Sequence, residues 1–134
     1  MRILGPNCLG LMRSDLGLNA TFSPVPAQPG RLALVSQSGA LGLSILDRAR
    51  EYGIGMSQFV SVGNKSDVSG NDLLLQWEHD PAVKVILMYV ESFGNPRKFL
   101  ETAARITKTK PIVVVKSGRD RKSTRLNSSH ITIS

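Results

Sequence analysis

The chain has 134 residues, with 17 Lys and Arg against 10 Asp and Glu for a net charge of +7, and 41% of its residues are hydrophobic. That length admits one domain at most, and the positive balance suits solubility and attraction to anionic ligands but contains no Lys/Arg block of the nucleic-acid-binding kind. The single cysteine, Cys8, excludes an internal disulfide framework, and no cleavable signal or apolar run approaching about 18 residues is evident; a cytoplasmic protein without membrane or nucleic-acid partners is expected.

Residues 1–30 are rich in turn-formers, and Gly5, Pro6, Gly10, Gly17, Pro24, Pro26, Pro29 and Gly30 interrupt any periodic pattern. A linker or domain edge without regular elements is expected there. From Arg31 four β-branched apolar runs follow: LALVS at 32–36, FVSVG at 59–63, KVILMYVE at 84–91 and PIVVVKSG at 111–118. They are near-continuous rather than alternating, as strands buried on both faces of a parallel sheet are.

Three amphipathic segments lie between these runs. The first starts at an N-cap, Ser38, places Leu41, Ile45, Ala49 and Tyr52 on one buried face, and stops at Gly53 in the left-handed position. The second spans about Ser69 to His79. In the third, Asn95 caps, Pro96 takes the first helical position, Phe99, Leu100, Ala103 and Ile106 face inward, and Lys108 and Lys110 close a basic end. Strand and helix alternation predicts an α/β fold, a three-layer open parallel sheet with right-handed crossovers. Such sheets bind ligands beyond the carboxyl ends of their strands, which singles out residues 36–40, 63–67, 91–94 and 116–119.

Of these loops, Ser36-Gln37-Ser38-Gly39-Ala40 joins a strand end directly to a helix. Free amides at a helix N-terminus, two hydroxyls and a glycine suit an anion; an ordinary Ser cap followed by Gly for close packing fits the same residues. Glu91 ends an apolar strand, either to orient a partner group or as an exposed strand-end carboxylate. Asn64, Lys65 and Asp67 follow the second strand, where Lys65 and Asp67 suit phosphate and a hydroxyl or magnesium, or a plain surface turn. Cys8 reads as a small hydrophobe with nothing local to lower its pKa, and His79 as a surface residue near a helix end. No GxGxxG, GxxxxGK[ST], HExxH, CxxC or GxSxG pattern occurs, so neither dinucleotide, Walker-type or zinc chemistry nor serine hydrolysis has direct support.

The last fifteen residues, Asp120 to Ser134, back-translate to a sequence that resembles a common short-read library adapter. They are read as a non-native tail, with native sequence ending near Arg119, and are set aside as a vector scar would be. Without Arg121, Lys122, Arg125 and Asp120 the balance becomes 14 basic and 9 acidic residues.

Six ordered stretches over residues 2–119 carry a resemblance. They are RILGPNCLGL, GLNATFSPVP, LALVSQSGALG with ILDRAREYGIG, VSVGNKSDVSGNDLL, DPAVKVILMYVESF and KPIVVVKSGR. Together they resemble the NDP-forming acyl-CoA synthetase family, including ADP-forming acetate-CoA ligases and related to the succinyl-CoA synthetase α subunit. The wording is also similar to bacterial proteins in which such a region is fused to a GNAT acetyltransferase domain.

The resemblance implies a flavodoxin-type, succinyl-CoA-synthetase-like domain at 31–119, preceded at 1–30 by the end of a CoA-binding Rossmann domain and a linker. It implies that acyl-CoA and phosphate give acyl phosphate and CoA, and that a histidine takes the phosphoryl group and passes it to ADP in an ATP-grasp domain or subunit. Ser36, Ser38, Gly39 and Ala40 would cradle the phosphate, Glu91 would orient the phosphohistidine, and Asn7, Cys8, Asn64 and Lys65 would sit beside them. CoA, ATP or ADP and magnesium are implied for the whole protein, with no metal ligand in this chain; an oligomer is compatible with the resemblance. The family's histidine lies in a Ser-His-Thr-Gly segment, and His130 falls at nearly that spacing within Ser128-Ser129-His130-Ile131-Thr132. Because the flanking Gly/Ala loop is missing, His130 is assigned to the adapter-like tail and the chain alone is expected to be inactive. The alternative implied function is a CoA- or acyl-CoA-responsive regulatory domain of a protein lysine acetyltransferase.

Overall fold

The four apolar runs become the centre of one sheet. The computed structural model describes residues 1–118 together with the backbone of 129–133. Residues 119–128 and 134 lie outside the described residues. The central strands are β3 (Pro29–Ser36), β4 (Met56–Ser61), β5 (Val85–Val90) and β6 (Ile112–Lys116), all mutually parallel where they pair. Every residue of β4 is buried, and Ala33, Leu34, Val35 and Ser36 of β3 are buried in succession, as a strand covered on both faces requires.

The helices are α1 (Gly39–Glu51), α2 (Gly70–His79) and α3 (Pro96–Ile106). Ala49 of α1 packs with Leu34, Met56 and Phe59 on one face of the sheet. On the other face Leu74 and Trp77 of α2 and Phe99, Ala103 and Ile106 of α3 pack with Ala33, Val35, Ile86 and Val114. The three layers expected from the strand and helix alternation are therefore present. Caps also fall where the sequence puts them. Ser38 accepts from the Leu41 amide, Asn95 from the Lys98 amide, and Ser69 with Asp72 forms a capping box. Two side chains depart from the expected buried faces: Tyr52 is 75% and Leu100 60% exposed. Tyr52 lies just past the last turn of α1, and Leu100 sits one position round from the Phe99–Ala103–Ile106 stripe.

The first thirty residues are not devoid of elements. They contribute β1 (Gly10–Arg13) and β2 (Leu18–Thr21), an antiparallel hairpin whose first strand pairs antiparallel with β4. Glycines and prolines mark its corners: Gly17 takes φ 61° at the turn, and Gly10 faces Ala20 and Thr21 across the pair. At the opposite edge the backbone of β7 (Ser129–Ile133) runs antiparallel to β6, with His130 across from Val115.

The strand order is β2-β1-β4-β3-β5-β6-β7. Its parallel part, β4-β3-β5-β6, is doubly wound: the chain leaves β3 for β4 on one side, then crosses back to β5 on the other. The direction of winding reverses between β3 and β5, and a crevice opens at their carboxyl ends. The loops that leave those two ends are Gln37–Ser38 and Glu91–Asn95.

Candidate functional site

An open cleft of about 540 Å³ lies at this reversal point. One wall is the start of α1, with Gln37, Ser38, Gly39 and Ala40; Asn7, Cys8 and Leu9 form a second; Glu91 stands at the end of β5, and Phe22 and Leu43 add apolar surface. Six of the residues singled out from sequence, Asn7, Cys8, Ser38, Gly39, Ala40 and Glu91, thus line one cleft although they lie up to 84 positions apart.

Gly39 and Ala40, the first residues of α1, line the cleft, and a helix start carries amides without intrahelical partners and the positive end of the dipole. Ser38 both caps and lines it: its hydroxyl accepts from Leu41 N–H at 3.3 Å. Ser36 does not line it. That side chain is fully buried, its hydroxyl donates to the Ser38 carbonyl at 2.6 Å and accepts from the Ser38 amide at 3.2 Å. Ser36 builds the loop from beneath and offers no donor to a ligand, a correction to its expected place in the cradle.

The Asn7–Cys8 wall is held by β4 and the loop after it. Leu9 N–H donates to the Ser61 hydroxyl at 3.0 Å, Asn64 N–H to the Pro6 carbonyl at 2.9 Å, and Ser66 N–H to the Gly5 carbonyl at 3.0 Å. Gly63 makes this possible, with φ 53° and the Pro6 and Asn7 carbonyls directly over its α-carbon, where a side chain would stand. Asn64 is exposed and reaches the cleft only through Asn7, whose Nδ2 is 3.4 Å from Asn64 Oδ1.

Lys65 is taken up by the Glu91 loop. Its Nζ donates to the Ser92 carbonyl at 2.5 Å and to the Ser92 hydroxyl at 2.7 Å. Partial burial pushes the ammonium below the usual lysine range, and the nearby Glu91 charge partly offsets that. Asp67 is committed elsewhere: it accepts from Arg2 Nε at 3.0 Å and from the Ile3 amide at 2.7 Å. Those bonds to the Ile3 amide and Arg2 hold its carboxyl below the usual aspartate range, so it braces the start of the chain and has no free oxygen to give a ligand. His79 is a surface side chain beside Glu78. Among the described residues no three His, Cys, Asp or Glu side chains converge to hold a metal ion, and no helix is long and apolar enough to cross a membrane.

Four lining residues, Leu9, Phe22, Gln37 and Leu43, were given no role from sequence, and two of them bear on the chemistry. Gln37, between the two serines, carries no chemistry that a strand–helix junction would flag. Phe22 is 87% exposed; an aromatic in a Ser- and Pro-rich loop is the only signal that could have found it.

The model of the succinyl-CoA ligase like flavodoxin domain matches residues 29–133, most of the chain. The chain belongs to that family. The α subunit of an ADP-forming acetate-CoA ligase from Pyrococcus furiosus is 45% identical over 130 residues, 97% of this chain and 28% of that protein. An ADP-forming 4-hydroxybutyrate-CoA ligase from Nitrosopumilus maritimus is 41% identical over 134 residues, 97% of this chain and 19% of that protein. Among solved structures, the dinucleotide-forming acetyl-coenzyme A synthetase 1 of Ca. Korarchaeum cryptofilum, in complex with phosphate and ADP, superposes with a TM-score of 0.84 at 43% identity, covering 87% of this chain and 26% of that one. This member of the succinyl-CoA ligase like flavodoxin family thus spans about a quarter of the length of such relatives, or less.

Proposed function

We propose that this domain supplies the phosphate cradle of an ADP-forming acyl-CoA synthetase. The whole enzyme would interconvert acyl-CoA, ADP and phosphate with the free acid, ATP and CoA. The observation that carries the reading is the cleft itself. A capped helix start, the Asn7–Cys8 turn and the Glu91 carboxylate converge at the reversal point of a doubly wound sheet.

In this reading the phosphate oxygen attacks the thioester carbonyl, and the carbon–sulfur bond breaks to release CoA and leave acyl phosphate. The phosphoryl group then passes to a histidine nitrogen, freeing the acid, and from there to ADP in an ATP-grasp domain or subunit. The Gly39 and Ala40 amides and the Ser38 hydroxyl bear the negative charge throughout, and a single well-placed donor of this kind contributes about 3 kcal/mol to a transition state. Glu91 accepts a hydrogen bond from the histidine ring and fixes which nitrogen carries the phosphoryl group. Asn7 and Cys8 close the site sterically or by hydrogen bonding, without thiolate chemistry. Magnesium would enter with the nucleotide and screen its phosphates. In this reading His130 is assigned no phosphoryl role.

The test is made on the full-length protein with its ATP-grasp partner, following ATP formation from acetyl-CoA, ADP and phosphate and acid-labile label from radioactive phosphate. ATP formation that falls at least tenfold on Glu91→Gln is expected. A Glu91→Gln enzyme with unchanged rate, or label on His130 of this chain, overturns the assignment. Phosphate or acyl-CoA binding without any turnover in the wild type would instead favour the regulatory-domain reading.

A further inference from the structure

The turn that carries Glu91 is held by a side chain from the neighbouring strand. Gln37 follows β3 immediately, and its Oε1 accepts from the Glu91 amide at 2.9 Å and from the Ser92 amide at 3.2 Å, while its Nε2 donates to the Ser92 carbonyl at 2.6 Å. Its own backbone N–H donates to the Tyr89 carbonyl at 3.0 Å, the last main-chain bond before β3 and β5 part. The planar carboxamide therefore continues the ladder by one further step, as a peptide unit would, after the backbones have diverged. Three bonds need an acceptor and a donor on one group, which glutamine has and neither glutamate nor methionine has.

Lys65 reaches Ser92 from the loop after β4, and Asn71 of α2 donates to the Phe93 and Asn95 carbonyls at 3.2 and 3.3 Å. The Glu91–Asn95 loop is thus braced from three elements, but only Gln37 belongs to the segment that also carries Ser38, Gly39 and Ala40.

We propose that Gln37 is a positioning residue: it ties the Glu91 turn to the helix start that forms the phosphate cradle, and so sets the spacing between the two halves of the cleft. This rests on the reading of the cleft given above. Displacement of a catalytic group by about 1 Å commonly costs a hundredfold in rate, so a tie of this kind acts on turnover more than on ligand binding.

The test compares Gln37→Met, Gln37→Glu, Glu91→Gln and the double variant Gln37→Met/Glu91→Gln in the full-length enzyme with its ATP-grasp partner. The readouts are kcat and the KM for phosphate in ATP formation from acetyl-CoA, ADP and phosphate. Gln37→Met is expected to lower kcat about ten- to a hundredfold with KM changed less than about threefold. The double variant is expected to be no slower than Glu91→Gln alone, because removing the carboxylate leaves nothing to position. Gln37→Glu keeps the acceptor, loses the donor, and should fall between wild type and Gln37→Met, which also covers the case in which Gln37→Met folds poorly. Wild-type kcat in Gln37→Met, or losses that multiply in the double variant, overturn the proposal. Wild-type kcat in Glu91→Gln overturns the reading beneath it as well, so the two failures are told apart.

Discussion

The indole N–H of Trp77 donates to Oε1 of Gln58 at 2.9 Å, joining α2 to the middle of β4 inside the core. Gln58 Nε2 donates in turn to Asp80 Oδ2 at 2.7 Å, and Lys110 Nζ donates to the Trp77 and Asp80 carbonyls at 2.5 and 2.7 Å. A polar residue in the most buried strand is tolerated because every one of these groups finds a partner. Gln58→Leu removes two of the bonds at once and leaves the indole N–H buried without an acceptor. A loss of about 2 kcal/mol is expected, read as a lower urea midpoint with an unchanged slope.

Gly63 faces a different constraint. At φ 53°, with the Pro6 and Asn7 carbonyls over its α-carbon, Gly63→Ala must push the Asn7–Cys8 turn away from the loop after β4. Stability should fall by about 2 kcal/mol through strain at a left-handed position. Amide exchange at Asn64 and Ser66, which donate to that turn, should accelerate while exchange in β5 stays slow.

Ser38 serves the fold and the cleft together, and two substitutions separate the roles. Ser38→Ala loses the cap bond to Leu41 and should cost about 1 kcal/mol in thermal or urea unfolding. Ser38→Gly costs only a few tenths because glycine also suits a cap, yet it equally lacks the hydroxyl. If the hydroxyl meets phosphate, both variants of the full-length enzyme weaken phosphate binding alike in calorimetry, although their stabilities differ. Unaltered phosphate binding in both variants would remove Ser38 from the cradle.

Asp72 predicts the acid limb of stability. Burial pushes its carboxyl up, but hydrogen bonds from the Ser69 hydroxyl and amide, with the charges of Arg2 and Lys98, outweigh burial and hold it below the ordinary aspartate value of 3.8. A depressed folded-state value means that the stabilisation is fully present above 3.8 and is lost as pH falls through the still lower folded value. Asp72→Asn should therefore lower the melting temperature at pH 6 and bring the two proteins together near pH 2. A constant difference across that range would mean that the capping-box hydrogen bonds, not the charge, carry the effect.

Much of the fold was legible because burial on both faces leaves a plain mark in a chain. Residues 32–36, 59–63, 84–91 and 111–118 had to be strands, and the Ser38, Ser69 and Asn95 caps announced the helices between them. The hairpin of residues 10–21 was not legible. Its residues are mostly exposed or half-buried and glycine-marked, and it is a strand pair only because β4 offers an open edge to Leu11–Arg13. Ser36 and Ser38 looked alike in sequence, two hydroxyls flanking one glutamine. Packing separated them: Ser36 is the last residue of β3 and is closed over by the sheet, whereas Ser38 has left the strand and caps the helix.

What the sequence determined by itself is local: which segments are strand or helix, where each helix begins, and that loops at strand ends carry hydroxyls, a carboxylate and a lysine. Those properties follow from side-chain periodicity and capping chemistry, which act over a few residues. What only the tertiary structure decided is which loops meet. Strand order places β3 beside β5, so that the winding reverses between them and Glu91 comes to the helix start at Ser38. Gln37 gained its three bonds to the Glu91–Ser92 turn by the same adjacency, because a side chain one step past the end of a strand can bond only to the neighbour that the sheet supplies.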